Sequence, residues 1–453
     1  QLGLPRPGCW PPGHGHLISR VENHLTRLAL LKRSKGRMLG PGEHRPMEES
    51  VVQRQIPRAS ELLPLLKLRS FDPDGTRRRL ATAHTISDLR TLAARRTPRS
   101  VFDYTDGAAE SEISLRRARR TFANLEFRPS ILQDVSNVDT STSMLGRTSA
   151  LPFSFAPTGF TRMMQTEGET AVVKVAQRRD IPYALSTMGT TSIEDVAAAA
   201  PDARKWFQLY VWRDRSRGED LMARAKAAGF EALILTVDVP VAGARLRDTR
   251  NGFSIPPQLS VKTFIDGATH PNWWWDLLTT PTFNFASLDQ WSGTVGELLD
   301  SLFDPTMTMK DLEWIRSVWD GPLIIKGIQT IEDAKKVSAA GADAIVLSNH
   351  GGRQLDRAPV PLRLVPDSRE AIGEKTEVWV DTGIMSGGDI VAALALGAHS
   401  TMVGRAYLYG LMAGGERGVE RAVQILEAEI RRTMKLLGVN SIGELSQRHV
   451  ALP

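Results

Sequence analysis

The sequence lacks the features of several protein classes, beginning with cysteine. One cysteine, Cys9, occurs among 453 residues, which excludes a disulfide within the chain, an iron–sulfur cluster and a cysteine-based zinc site. The apolar runs are far shorter than the roughly 18 residues that predict a membrane-spanning helix. With 42% hydrophobic and 24% charged residues, the composition is that of a globular protein with enough chain to bury a large core.

Most of the chain also lacks an excess of either charge. The formal net charge is +6, but residues 1–46 carry eight basic and two acidic side chains, which account for all of it. The other 407 residues carry 49 side chains of each sign. We therefore expect no basic face on the folded part and no nucleic-acid partner.

Residues 1–46 differ in composition from the rest of the chain. They hold six of the 26 prolines and four of the nine histidines, and no signal-peptide pattern. We expect a disordered or non-native extension, with Met47 as a candidate native start. A basic tail that contacts a membrane or nucleic acid is the alternative.

From about residue 150 onward, short apolar runs alternate with helical patterns such as 168–179 and 330–340. Eight runs are candidate strands: 151–156, 182–186, 205–210, 231–237, 322–326, 343–348, 377–381 and 399–403. This alternation predicts an α/β fold, a closed (β/α)₈ TIM barrel. A doubly wound open sheet is the alternative, weakened because no G-x-G-x-x-G follows the first strand.

The barrel is expected to occupy residues 146–453. Residues 47–145 are predicted to form a helical segment that packs on it, and Thr85 is a candidate helix cap. An 81-residue connection, 241–321, follows the fourth strand. Loops of this length in a compact domain are usually functional.

Polar side chains cluster where the predicted strands end, which is where catalytic groups lie in this fold. The longest such cluster, Ser348–Asp356, reads Ser-Asn-His-Gly-Gly-Arg-Gln-Leu-Asp. This block resembles the signature of the FMN-dependent α-hydroxy-acid dehydrogenase and oxidase family. The resemblance covers about residues 80–452 and is strongest to bacterial L-lactate dehydrogenases of the actinobacterial type. It implies FMN as cofactor, no metal, and oxidation of an L-2-hydroxy acid, with L-lactate favoured.

The resemblance assigns the chemistry to a few side chains. His350 matches the catalytic base, since a neutral imidazole suits proton transfer near physiological pH. Asp238 matches the carboxylate that orients this imidazole, and Tyr210 a tyrosine that bonds the substrate oxygen. Proton and hydride loss from the substrate C2 both stay open.

Two guanidinium groups match the ligands of the substrate carboxylate, Arg353 and Arg245, because a planar fork binds a carboxylate through two parallel hydrogen bonds. Arg247 is the competing candidate for the second of them. Tyr104 matches a further carboxylate ligand. Met188 stands where glycolate oxidases carry tryptophan, and its smaller side chain favours lactate while leaving mandelate or longer acids open.

The resemblance also implies a flavin site. Lys326 matches the cation beside the flavin ring that stabilises its reduced form. The other cofactor-binding candidates are Pro157, Thr158, Gly159, Ser186, Gln208, Thr236, Ser348, Asp381, Gly383, Gly404 and Arg405. Met385 departs from the family, which often has arginine there, so one phosphate contact is missing.

The long connection bears on the electron acceptor. Four of the ten tryptophans fall within 270–291, and tryptophan favours membrane interfaces. This stretch resembles a segment of membrane-associated dehydrogenases, which implies quinone or a separate cytochrome as acceptor. We expect a cytoplasmic protein, peripheral on the inner face of the membrane. Packing of the tryptophans on the barrel or a subunit contact is the alternative.

Two further functions stay in view. A soluble oxidase of the same fold would pass electrons to oxygen and release hydrogen peroxide. A non-enzymatic flavin-binding barrel is disfavoured, because the candidate catalytic side chains are all present. Family resemblance alone implies a homotetramer.

Overall fold

The fold is seen in a computed structural model of the chain, which describes residues 57–62, 72–252, 266, 268–280 and 303–453. The chain divides into two compact units, 1–70 and 71–453. In the first unit, the described residues include one short helix, α1 (Ala59–Leu62). The predictions for residues 1–46 lie outside the described residues.

The second unit is built around eight parallel strands that close into a barrel, as predicted. The strands of this unit are β1 (Glu126–Phe127), β2 (Thr142–Met144), β3 (Arg147–Ser149), β4 (Phe153–Phe155), β5 (Tyr183–Ser186), β6 (Lys205–Leu209), β7 (Ala232–Thr236), β8 (Leu323–Ile328), β9 (Ala344–Leu347), β10 (Glu377–Val380), β11 (Ser400–Val403) and β12 (Val450–Ala451). Strands β4 to β11 pair in sequence order, and β11 pairs with β4. This closure excludes the open-sheet alternative.

Helices connect the strands and cover the barrel. They are α2 (Gly75–Ala81), α3 (Ile86–Arg96), α4 (Arg99–Asp106), α5 (Ile113–Ala123), α6 (Thr161–Met164), α7 (Gly168–Arg179), α8 (Ile193–Ala199), α9 (Arg215–Ala227), α10 (Leu246–Arg250), α11 (Pro271–Thr279), α12 (Met309–Val318), α13 (Ile331–Ala339), α14 (Pro361–Ile372), α15 (Gly387–Ala395) and α16 (Arg405–Leu437). Thr85 caps α3, as predicted, and forms a capping box with Asp88 that satisfies backbone N–H groups at the helix start.

Apolar side chains fill the barrel interior and thereby confine any site to an end of the barrel. The indole rings of Trp206 and Trp379 stack there with their centroids 5.0 Å apart. The β2–β3 hairpin contributes the buried Met144 to the same interior cluster. The backbone oxygen of Met144 accepts a hydrogen bond from Arg204 Nη2 at 2.9 Å.

The helices before the barrel are tied to its last helix by a buried carboxylate. Asp106, at the end of α4, accepts two hydrogen bonds from Arg90 of α3, at 2.6 and 2.8 Å, and one from the Tyr409 hydroxyl of α16, at 2.8 Å. The charge of Arg90 and these hydrogen bonds outweigh burial and hold the pKa of Asp106 below its usual value. This network fixes α4, which carries Tyr104.

Candidate active site

A cavity of about 1100 Å³ lies at the carboxyl ends of the barrel strands. Most of the predicted site residues line it: Tyr104, Pro157, Thr158, Gly159, Ser186, Met188, Tyr210, Arg245, Lys326, His350, Arg353, Asp381, Gly383, Gly404 and Arg405. Gln208, Thr236, Asp238 and Ser348 do not line the cavity but are buried at strand ends. Strand register explains why such distant residues meet: Thr236 pairs with Lys326, and Ser186 with Gln208.

An imidazole–carboxylate pair lies at the cavity wall, with His350 in the lining and Asp238 behind it. His350 Nδ1 lies 3.0 Å from Asp238 Oδ1, and the Asp238 side chain is fully buried. Burial acts to raise the pKa of Asp238, but its interaction with His350, including their hydrogen bond, and the charge of Lys326 outweigh burial, so the pKa lies below the usual value. Gly327 allows the approach, because its φ is +110° and a Cβ there would lie 2.7 Å from Asp238 Cβ.

The environment of His350 favours its neutral form. Burial lowers the pKa of the imidazole, Lys326 and Arg245 lower it further, and Asp238 only partly offsets them. The backbone of His350 is in the left-handed region, with φ 59°, and its backbone N–H donates a hydrogen bond to Ser348 Oγ at 3.0 Å. With Nδ1 facing Asp238, the other ring nitrogen is left to accept a proton.

Two arginines stand beside the Tyr104 ring near this pair. The guanidinium carbons of Arg353 and Arg245 lie 4.7 and 5.9 Å from the ring centroid. Burial, followed by the charge of Arg245, lowers the pKa of Arg353 to about 10. Arg245 Nε is buried without a hydrogen-bond partner among the described residues. A carboxylate ligand would stabilise these two adjacent cations and accept a hydrogen bond from the unsatisfied Arg245 donor. The site therefore suits a carboxylate.

The competing arginine has a different environment. Arg247 faces three carboxylates, with Nη1 3.0 Å from Asp106 and 3.4 Å from Asp103, and Nη2 2.6 Å from Glu112. These contacts occupy its guanidinium on the α4 side of the cavity. The geometry therefore favours Arg245 over Arg247 as a substrate ligand.

The groups expected to face a flavin ring are also in place. Lys326 Nζ lies 3.2 Å from Asp381 Oδ2 and donates to Ser348 Oγ at 3.1 Å. Burial acts to lower the pKa of Lys326, but Asp381 and Asp238 outweigh it and raise the pKa above its usual value, so the side chain is a cation. Gln208 Nε2 is buried without a partner among the described residues. Gln208 lies behind the cavity wall, where its Oε1 accepts a hydrogen bond from Oγ of the lining residue Ser186 at 3.0 Å. An unsatisfied donor next to the wall and the Lys326 cation on it fit a flavin.

The ends of β10 and β11 offer a phosphate group an open helix N-terminus but an arginine that is already largely hydrogen-bonded. Gly404 is the N-cap of α16, and no side chain of the described residues caps this helix start, so its N–H groups are open to an anion. Arg405, however, donates to the backbone oxygens of Thr105, Gly351 and Gly107, at 2.8, 2.9 and 2.7 Å. Three of its five N–H donors are thus occupied within the chain.

Among the cavity-lining residues that the sequence did not single out, three bear on the chemistry of the site. Phe303 packs edge-on against Tyr210, with ring centroids 5.6 Å apart. Asp248, one helical turn after Arg245, has its pKa raised by burial. Arg119 of α5 lines the cavity beyond Gly383. The three-residue spacing from Arg245 could have indicated Asp248, whereas nothing local in the sequence places Phe303.

The tryptophan-rich stretch is described over residues 270–280, and the rest of 270–291 lies outside the described residues. Trp273 is half-buried, packs against the core and donates to the backbone oxygen of Met163 at 3.0 Å. Trp275 and Leu278 are 70% and 75% exposed. One tryptophan thus packs on the barrel, while an apolar face of α11 remains open. Within the described ranges, no helix combines the length and apolarity needed to cross a membrane.

Comparison with known proteins adds the family. The model of FMN-dependent dehydrogenases matches residues 93–452. A Mycobacterium tuberculosis protein provisionally named an L-lactate dehydrogenase is 58% identical over 399 residues, 88% of this chain and 96% of that protein. L-lactate dehydrogenase of Xanthomonas campestris pv. campestris is 41% identical over 367 residues, 80% of this chain and 95% of that protein.

Solved structures give the same architecture. (S)-mandelate dehydrogenase, a monotopic membrane protein, superposes with a TM-score of 0.79 at 37% identity, covering 82% of this chain and 100% of that one. A mandelate oxidase variant with (S)-mandelic acid has a TM-score of 0.70 at 36% identity, covering 82% and 98%. Because the family model spans most of the sequence and the relatives align over nearly their full lengths, this chain belongs to the FMN-dependent dehydrogenase family.

Proposed function

We propose that this chain oxidises L-lactate to pyruvate with FMN as its cofactor and passes the electrons to a quinone or a cytochrome. The observation that carries the proposal is the His350–Asp238 pair, 3.0 Å apart, in the same cavity as Arg245 and Arg353. Relatives named as L-lactate dehydrogenases at 58% and 41% identity support this substrate.

Substrate binding follows from the two arginines. The carboxylate of the hydroxy acid would take hydrogen bonds from Arg353 and Arg245, with Tyr104 between them. Their positive charges are concentrated in a buried site, where charge-assisted hydrogen bonds are strong. Binding through a planar fork fixes both the position and the rotation of the acid, so C2 and its hydroxyl face His350.

Proton transfer is assigned to His350. Oxidation of lactate to pyruvate releases two electrons and two protons, and the neutral imidazole takes up one of the protons. Asp238 holds the ring through Nδ1 and stabilises the charge that develops on it. The Tyr210 hydroxyl donates a hydrogen bond to the substrate oxygen. It stays protonated because burial raises the pKa of this tyrosine. The Lys326 cation would stabilise the negative charge of a reduced flavin, because bound FMN would supply the acceptor of the two electrons and of the second proton.

The wall around the substrate side chain favours a small acid. Met188 is buried against Gly159, where an added Cβ would lie 2.6 Å from Met188 Cβ. Phe303 closes the side next to Tyr210. Mandelate is the second candidate substrate, because (S)-mandelate dehydrogenase has the same fold and a high structural similarity.

We further propose that the protein binds the cytoplasmic membrane peripherally through α11, as part of a homotetramer. Trp275 and Leu278 offer an exposed apolar face, which suits the interfacial region of a bilayer. Cosedimentation with anionic phospholipid vesicles tests this assignment. W275S/L278S should reduce binding, whereas I131S/L132S, which removes two other exposed apolar side chains, should not. Equal losses, or none, would contradict it.

The acceptor is tested with the purified, FMN-loaded protein and L-lactate. We expect one pyruvate for each soluble quinone analogue reduced, and little hydrogen peroxide when oxygen is the only acceptor. Stoichiometric peroxide at an equal rate would instead identify an oxidase. No pyruvate with either acceptor would exclude lactate as substrate, and turnover of mandelate in the same assay would support the second candidate.

A further inference from the structure

The cavity extends past the end of β10 to a corner bordered by helix α5. In TIM barrels, the ends of the last two strands are the usual site for a phosphate group. Here the loop after β10 brings Met385, an apolar side chain, to the cavity wall. Arg405 already donates three N–H groups to backbone oxygens. Arg405 keeps its charge but has only two of its five N–H donors left for a phosphate dianion, so further cations at the corner would strengthen binding.

Helix α5, which borders this corner, carries two candidate arginines. Arg116 and Arg119, three residues apart and hence on one helix face, both line the cavity, and Arg116 Nη1 also donates to the Ser111 backbone oxygen at 2.7 Å. Helix α5 packs closely on the β10 loop, since a Cβ on Gly383 would lie 3.1 Å from Ala118 Cβ. The Gly383 backbone oxygen accepts a hydrogen bond from Arg119 Nη1.

A shared acceptor places Arg119 beside residue 385. Asp389 Oδ2 accepts one hydrogen bond from Arg119 Nη1, at 2.7 Å, and another from the Met385 backbone N–H, at 2.8 Å. The guanidinium therefore lies next to the backbone of residue 385. It provides, from another helix, the charge that the Met385 side chain does not bring.

The net charge of the corner depends on Arg116 and Arg119. Besides Arg116, Arg119 and Arg405, we count two carboxylates, Asp389 and Glu429. Asp381, at the end of β10, is paired with Lys326 at 3.2 Å, and the pair adds no net charge. Each carboxylate is already bonded: Asp389 as above, and Glu429 to the Gly387 N–H at 2.8 Å. With all three arginines, the formal sum is +1, and without the two of α5 it is −1. Only the first sum attracts a phosphate dianion.

We propose that Arg119, assisted by Arg116, binds the phosphate group of FMN in this chain. The inference rests on the cofactor of the family and is independent of which hydroxy acid is oxidised. Flavin binding is measured without substrate, so its result does not depend on the proposed activity.

The test compares FMN with riboflavin, which has the same ring and no phosphate. The apoprotein is titrated with each flavin, and binding is followed by quenching of flavin fluorescence. R116Q/R119Q should raise the Kd for FMN about 10- to 100-fold, as expected for lost hydrogen bonds to a charged group, and leave the Kd for riboflavin unchanged. R117Q/R120Q removes two exposed charges from the same helix and should change neither.

A second variant separates phosphate binding from support of the fold. Adding M385R to R116Q/R119Q returns a guanidinium to the same corner and should restore much of the FMN affinity. The proposal is overturned if R116Q/R119Q weakens FMN and riboflavin equally, if it weakens neither, or if R117Q/R120Q weakens FMN as much. It is also overturned if M385R restores nothing in a protein that still binds riboflavin normally.

Discussion

The two ends of the cavity are organised differently. At the substrate end, His350, Asp238 and Arg245 converge, and Asp238 Oδ2 and Arg245 Nε are buried without hydrogen-bond partners among the described residues. At the phosphate end, Arg405 is already bonded to three backbone oxygens and Met385 brings no charge. A local sequence motif such as Ser348–Asp356 can therefore specify the reacting groups. The charged side chains that bind a cofactor can instead come from any helix that packs nearby, such as α5.

The largest effect that would sharpen this contrast is expected from His350→Gln. Loss of the base should lower kcat by about 10²- to 10⁴-fold, while the Kd for FMN stays unchanged because the residue belongs to the substrate end. Flavin titration and steady-state turnover measure the two quantities. A large loss of FMN affinity in this variant would show that the two ends are not independent.

A smaller effect, with a characteristic pH dependence, is expected from Asp238→Asn. Because the pKa of His350 is lowered, we expect kcat/KM to rise with pH and then level off. The midpoint of this rise should lie below 6.5, the usual pKa of an imidazole. Asp238 raises that pKa, so its removal should move the midpoint further to acid pH and lower the plateau by about 10²-fold. A midpoint that moves to higher pH would contradict the assigned pairing.

The two neighbouring arginines of the β7 connection provide the next comparison. Arg245→Gln should raise the KM for L-lactate about 10- to 100-fold, the equivalent of one or two hydrogen bonds to a charged group, with little change in Tm. Arg247→Gln should leave KM unchanged and lower the free energy of unfolding by about 1–3 kcal/mol, because its carboxylate partners lose a donor. Reversed effects would assign the substrate to Arg247.

The smallest effect concerns substrate size. Met188→Ala widens the cavity and should increase kcat/KM for mandelate relative to L-lactate by about 10-fold, within the range for a change of a few carbon atoms. Met163→Ala makes a similar space in the core outside the cavity lining and should not change this ratio. An equal change in both variants would indicate general loosening of the fold.

Much of this picture could be predicted from the sequence because its signals are local. Each barrel strand is a short apolar run. Asp238 and His350 follow a strand and Lys326 lies near the end of one, so the closed barrel brings them together. The bonding of Arg405, the position of Arg119 and the contact of Phe303 with Tyr210 could not be predicted. They depend on how helices and a long connection pack across the barrel, which no periodicity in the chain encodes.

The most direct test of the central claim is anaerobic mixing of the FMN-loaded protein with L-lactate, followed through the visible absorbance of the flavin. We expect rapid bleaching by L-lactate, none by D-lactate, and none in His350→Gln on the same time scale. An unchanged spectrum with L-lactate, or equally fast bleaching in His350→Gln, would contradict it.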